Sequence, residues 1–161
     1  MTTDKERELQ HIWLEIEGER WAMLERFLFS YVCFREDFVT RKGKPDWQEA
    51  RNKAPRSIKA QGCPKDGLLI EPLIPLESVV GEIKRHYRDE ALSYSRLERV
   101  LDSLLQYVAI TKEEQQKIKI LGLENSMPKE WYLGDKSQVT LRFDAAGIQL
   151  GSRINKRKIA R

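Results

Sequence analysis

Long apolar runs are missing from this 161-residue sequence. No window approaches the roughly eighteen uninterrupted apolar residues of a transmembrane helix, and residues 1–10 are charged where a signal peptide needs an apolar stretch. The expectation is a cytoplasmic protein without membrane contact. Cysteine is scarce. Cys33 and Cys63 stand 30 residues apart without a CxxC partner or a nearby histidine, which argues against a structural zinc. They read as reduced thiols, Cys33 buried in an aromatic run and Cys63 in a Gly-Cys-Pro turn. The only histidines, His11 and His86, belong to no Ser, Cys or metal constellation. His11 falls opposite its helix's apolar stripe and reads as exposed, whereas His86 reads as a packing residue. The nine glycines are scattered, with no GxxxxGK[ST] or GxGxxG, so nucleotide-driven chemistry is disfavoured. Pro45-Asp46 and Glu82-Ile83-Lys84 echo a metal-nuclease pattern. Ile83 belongs to a helical stripe, however, so Glu82 and Lys84 would diverge instead of sharing the face of a strand. The chain therefore reads as non-enzymatic, with no metal and no cofactor.

What is present is a charged, foldable chain. Hydrophobic residues make up 40% and charged residues 34%, too apolar for a disordered segment, and the length suits one domain. The net charge of +4 is unevenly spread. Residues 41–65 carry +6 and residues 153–161 carry +5, which leaves −7 on the remainder. The expected organisation is one mainly helical domain over residues 1–152, containing a basic connector at 41–65, followed by a basic tail at 153–161. Cations gathered in this way beside an acidic body suggest a polyanionic partner.

Hydrophobic periodicity supplies the elements. Leu9, Ile12, Trp13, Ile16, Met23, Leu24, Phe27, Leu28 and Tyr31 form one stripe, predicting a helix over residues 4–31 with Gly18 as its weak point. Arg20 falls inside that stripe, where pairing with a carboxylate such as Glu17 would satisfy it. The connector is punctuated by Gly and Pro and admits only short helical pieces, such as 47–53, before a short strand at 68–70. A second helix is expected over 76–90. A third, with Ser95 and Glu98 as a capping box, carries an apolar stripe running to Val108. Thr111 with Glu114 opens a fourth, which Gly122 stops. Alternation over 139–143, with 148–150 returning, predicts a short C-terminal β-hairpin. The fold class is mainly α with a small β component.

Two candidate surfaces follow. The second and third helices, joined by a turn at 91–95, have the spacing of a helix-turn-helix-like pair. Ser95, Arg96, Arg99, Ser103 and Gln106 on the third are donors suited to phosphates and base edges, with Glu98 and Asp102 opposing on an adjacent strip. With the connector's Arg41, Lys42, Lys44, Arg51, Lys53, Arg56 and Lys59 and the tail's Lys156, Arg157 and Lys158, they make nucleic acid, DNA in preference to RNA, the expected partner. Leu14, Trp21, Phe29 and Val32 lie off the main stripe of the first helix and suggest a second apolar face for a partner protein, a larger complex or a second copy. Trp47 in the connector is read as pinning that segment to the core in preference to stacking on a base.

Overall fold

In the computed structural model, which describes residues 1–151, the long helix expected over 4–31 is a helical hairpin. Its arms are α1 (Asp4–Glu17) and α2 (Leu24–Glu36), joined through a 3-10 turn at Trp21–Met23. A reciprocal capping box between Thr3 and Glu6 opens α1. The helix closes where the Arg20 N–H bonds the Glu15 carbonyl and the Glu19 N–H bonds that of Ile16, both at 2.9 Å. This is a Schellman ending, with Glu19 in the left-handed region at φ 53° and Gly18 one residue too early to fill that position. Arg20 is exposed and pairs with Glu15 at 3.1 Å, not with Glu17. The reversal folds Leu9, Ile12 and Ile16 of α1 into one core with Leu24, Leu28 and Tyr31 of α2.

α3 (Trp47–Lys53) forms where expected, with Asp46 capping it by accepting the Glu49 N–H at 3.2 Å. Trp47 stacks on Phe29, with ring centroids 3.8 Å apart, and pins the connector to α2. The short strand is β1 (Leu68–Pro72), and Pro75 leads into α4 (Leu76–Arg88). α5 (Tyr94–Leu104) is capped by Ser93 instead of Ser95 and ends before the stripe predicted. The Arg35 guanidinium, reaching over from α2, donates to the carbonyls of Leu101 and Leu105 and so receives the end of α5. Beyond it, Tyr107–Thr111 is β2, antiparallel to β1 in the register Leu68↔Thr111 through Pro72↔Tyr107. Four consecutive buried residues in β2 erase the alternation by which a half-exposed strand is recognised.

α6 (Lys112–Ile120) has both predicted ends, the Thr111–Glu114 capping box and Gly122 at φ 70°. α7 (Lys129–Leu133) buries Trp131. The expected C-terminal hairpin is absent. Residues 141–145 are a helical turn, α8 (Leu141–Ala145), which buries Arg142 and Phe143, while Leu150 forms an antiparallel bridge with Ser57. Among the described residues the β component is thus β1 and β2, extended by single bridges. Arg56 lies parallel to Ala109 on the outer side of β2, and Ser57 carries the layer on to Leu150.

Candidate nucleic-acid interface

The cations of the connector meet different fates. Arg41, Lys42 and Lys44 project from a tight turn closed by the Thr40 N–H on the Lys44 carbonyl at 2.9 Å, with Gly43 at φ 77°. All three are exposed. Lys53 is bound into the fold, bonding the Asp37 carbonyl at 2.9 Å and pairing with Glu49 at 3.5 Å. Arg56 turns inward, its Nη1 donating to the carbonyls of Cys63 at 2.8 Å and Ala60 at 3.3 Å. Arg51 is half-buried on α3. Of the seven connector cations named from the sequence, Arg41, Lys42, Lys44 and Lys59 are therefore the exposed set.

The helix-turn-helix-like pair is also reduced. Ser95 and Arg99 are exposed and Arg96 is half-buried. Ser103 is buried and donates to the Arg99 carbonyl at 2.8 Å, and Gln106 lies beyond the helix, 9% exposed. Neither of these two can reach a base edge, Ser103 because it lies on the buried face of α5 and Gln106 because the helix ends before it, at Leu104. The acidic strip is partly compensated: Asp102 accepts from Tyr31 Oη at 2.9 Å and from Arg35 at 3.1 Å, and Glu98 meets Lys5 at 3.9 Å.

The second apolar face does not exist as one surface. Leu14 is exposed, but Val32 is fully buried. Phe29 lies between Trp47 and Tyr107, and Trp21 sits in the interhelical turn, edge-on to Tyr87 at 5.5 Å. Breaking the long helix separates these four residues. His11 is half-buried, 3.2 Å from Glu8 and against the Phe27 ring. His86 is half-buried, and burial followed by the nearby Arg85 charge lowers its pKa. Cys33 is buried and Cys63 half-exposed, both free thiols. The acids of the nuclease-like pattern serve the fold. Asp46 caps α3, and the buried Glu82 pairs with Arg85 at 2.8 Å.

A cleft of about 230 Å³ opens beside β1 and α6, with Glu25, Glu71, Glu77 and Glu124 on its walls against the single cation Lys119. Its charge is the wrong sign for a polyanion, so the cationic surface lies elsewhere.

That surface lies at the outer edge of the sheet layer. The Ile58 N–H bonds the Gln149 carbonyl at 2.9 Å, and the Gly151 N–H bonds that of Arg56 at 3.3 Å. The chain therefore leaves the described residues beside Lys59. Lys156, Arg157 and Lys158 lie outside the described residues. α6 is fastened to this edge where Ser57 Oγ donates to Glu114 at 2.6 Å, and Lys117, one helical turn further along α6, is a cation that periodicity did not single out. No helix among the described residues is long and apolar enough to cross a membrane, and they contain no group of three or more His, Cys, Asp or Glu side chains that could hold a metal ion. No family model matches the chain, and neither a curated protein nor a solved structure matches it.

Proposed function

We propose that this is a non-enzymatic nucleic-acid-binding protein, duplex DNA preferred, that holds the phosphate backbone through exposed cations on two loops and the C-terminal tail. The observation that carries the reading is the seating of residues 149–151 on residues 56–58. Gly151, the last described residue, thus lies beside Arg56 on the edge that carries Lys59, and Arg153, Lys156, Arg157, Lys158 and Arg161 follow it in the sequence. The turn at Arg41, Lys42 and Lys44 adds a second exposed cluster. Backbone attraction needs only such cations, whereas reading of bases by α5 rests on Ser95, Arg96 and Arg99 alone.

Fluorescence anisotropy on a short duplex across a salt series tests this. Each phosphate contact adds about −0.9 to the slope of log K against log salt, so replacing Arg41, Lys42 and Lys44 together by Ala should flatten it by about two to three units. Arg96→Ala with Arg99→Ala should cost about 1 to 3 kcal/mol on a preferred site, and much less on random DNA, if α5 enters the major groove. Absence of duplex binding at about 50 mM salt overturns the proposal, because electrostatic attraction is strongest there. Tighter binding to a single strand of equal length would move the preference away from duplex.

A protein-binding module, self-associating or part of a larger complex, is the second reading. It is favoured by the exposed Ile120 and Leu121 at the end of α6 and by Leu133 at the end of α7, which is 88% exposed. A monomer by light scattering, with no change on Leu133→Glu, removes self-association.

A further inference from the structure

We propose that the open face of Trp47 is a stacking platform for an unpaired nucleobase, with the exposed turn at residues 40–44 holding the phosphates beside it. The inference deepens the nucleic-acid reading, on which it rests, by naming the form held most firmly: DNA with a single-stranded stretch.

Tryptophan has a large apolar body that is normally well covered, yet Trp47 is 48% exposed. The exposure does not come from looseness. Its indole lies parallel to the Phe29 ring, with centroids 3.8 Å and planes 15° apart, and Phe29 is held edge-on against the buried Tyr107 at 5.7 Å. Phe29 covers one face of the indole, so the opposite face is the one left to solvent. The backbone beneath it is fixed as well, since Asp46 caps α3 by accepting the Glu49 N–H at 3.2 Å. Pinning the connector thus uses one side of the ring. A base laid on the other side would extend a stack already two rings deep, at little ordering cost to a platform that is fixed beforehand.

The cations stand where the backbone of such a base would run. Val39 bridges Pro45 in antiparallel fashion, the Thr40 N–H bonds the Lys44 carbonyl at 2.9 Å, and the Asp46 N–H bonds the Phe38 carbonyl at 3.2 Å. The turn is therefore tied to the start of α3. Pro45 and Asp46 alone separate Lys44 from Trp47, which keeps their Cα atoms within about 11 Å. Arg51 follows Trp47 by one helical turn on the same side of α3. The nearby acids are engaged in the fold, Asp46 in its cap and Glu49 with Lys53 at 3.5 Å. Inside a duplex both faces of a base are covered by its neighbours, whereas an unpaired base of any identity offers a free π-face. A fixed open indole beside exposed cations therefore matches a single strand better than a paired one.

Aromatic-proton NMR on the whole protein is the test, with a short oligothymidylate, a blunt duplex and the same duplex carrying a single-stranded overhang. The oligothymidylate should move the Trp47 ring protons upfield along one saturable curve while those of the buried Trp131 stay in place, and the blunt duplex should leave Trp47 unmoved. Trp47→Leu keeps an apolar contact on Phe29 but has no π-face. It should weaken binding of the single strand and of the overhang duplex about tenfold, the loss of one base–aromatic stack, without weakening the blunt duplex, and Trp47→Phe should restore most of the loss. The ring shifts are read on the unaltered protein, so they decide the matter even if the Leu variant unfolds. Single-strand binding with Trp47 unmoved, or a Trp47→Leu loss equal for all three ligands, overturns the platform and leaves the nucleic-acid reading standing. Engagement of Trp47 by the single strand without blunt-duplex binding supports the platform and overturns the duplex preference. Binding of none of the three at about 50 mM salt overturns the nucleic-acid reading and the platform with it.

Discussion

The helical half of the molecule and its sheet edge are held together by different chemistry. In α1, α2, α4 and α5, cohesion comes from apolar faces turned inward, with Ile12, Leu28, Val79 and Leu101 all fully buried. At the sheet edge, polar fasteners do the corresponding work. Ser57 ties the loop to Glu114, and Arg56 ties it to its own carbonyls. Arg142, with no exposed surface, joins three separate segments. Its guanidinium donates to the carbonyls of Pro72, Leu73, Leu123 and Glu124 and pairs with Glu71 at 3.2 Å. An apolar face tolerates small rearrangement, whereas a buried guanidinium with five partners permits one arrangement only. Polar contacts thus fix the sheet layer on both sides, Arg142 beside β1 and Arg56 with Ser57 beyond β2.

Arg142 is the polar fastener whose loss should cost the most. Arg142→Ala removes one partner of a buried pair and leaves Glu71 and several carbonyls without their donor, which should destabilise the protein by about 3 to 5 kcal/mol in urea unfolding. Arg142→Lys should recover little, because an ammonium cannot span the carbonyls of two separate segments and the Glu71 carboxylate together. A loss under about 1 kcal/mol would show that the edge, too, is held by apolar packing.

Leu28→Ala is the matching cut in the helical half. It leaves a cavity between α1 and α2 and should cost about 2 to 5 kcal/mol, with the exact figure set by how far the hairpin collapses onto it. The two variants should differ in where the loss appears. Amide exchange in Arg142→Ala should rise first around residues 122–124 and 148–151, and in Leu28→Ala across α1 and α2.

That division also explains what could be read in advance. Helix starts carry local marks, so Thr111 with Glu114 located α6 to the residue, and Pro75 located α4. The apolar stripe located the core positions of α1 and α2 but not the turn between them, because the left-handed residue is Glu19, which carries no turn signature, and Gly18 is adjacent to it. Val108 continued the 3.6-residue period of α5 by coincidence, and only its long-range pairing with Glu71 makes it a strand residue. Arg142 was unreadable. An arginine between Leu141 and Phe143 looks like the polar position of an alternating strand, and the carbonyls that bury it come from Pro72 to Glu124. The candidate surface suffered in the same way: the charge asymmetry was visible, but which cations the fold engages depends on contacts far apart in sequence, as for Arg56 and Lys53.

Alkaline pH should loosen the helical half through its buried thiol and phenols. Burial pushes the Cys33 thiol up to about 12, and burial likewise raises Tyr107 and Tyr31, the latter further raised by Asp102. A group whose pKa is raised on folding keeps its full stabilising effect below its unfolded value. For Cys33 that effect is lost as pH climbs from about 9 toward about 12, at about 1.4 kcal/mol per unit where only the unfolded form ionises. Unfolding midpoints should therefore fall steeply above about pH 9. At neutral pH a thiol reagent should modify Cys63 readily and Cys33 only on unfolding. Rapid labelling of both would show that the α2 core opens more easily than its packing implies.

The smallest expected effect lies at the turn between α1 and α2. Glu19 holds φ 53°, a conformation whose cost for a residue with a Cβ is about 1 to 2 kcal/mol and for glycine close to none. Glycine gains back part of that difference as extra freedom in the unfolded chain, so Glu19→Gly should stabilise by about 0.5 to 1 kcal/mol. Gly18→Ala should be close to neutral, because Gly18 has an ordinary φ of −82° and an added Cβ meets nothing nearer than 3.7 Å. The two substitutions together would move the glycine one residue along the chain, to the left-handed position of the Schellman ending. Thermal melts of both single variants and the pair decide it. Stabilisation by Glu19→Gly alone means that the hairpin is dictated by packing of the two apolar faces against the preference of its own turn. Destabilisation would mean that the Glu19 side chain makes a contribution larger than the strain at its backbone.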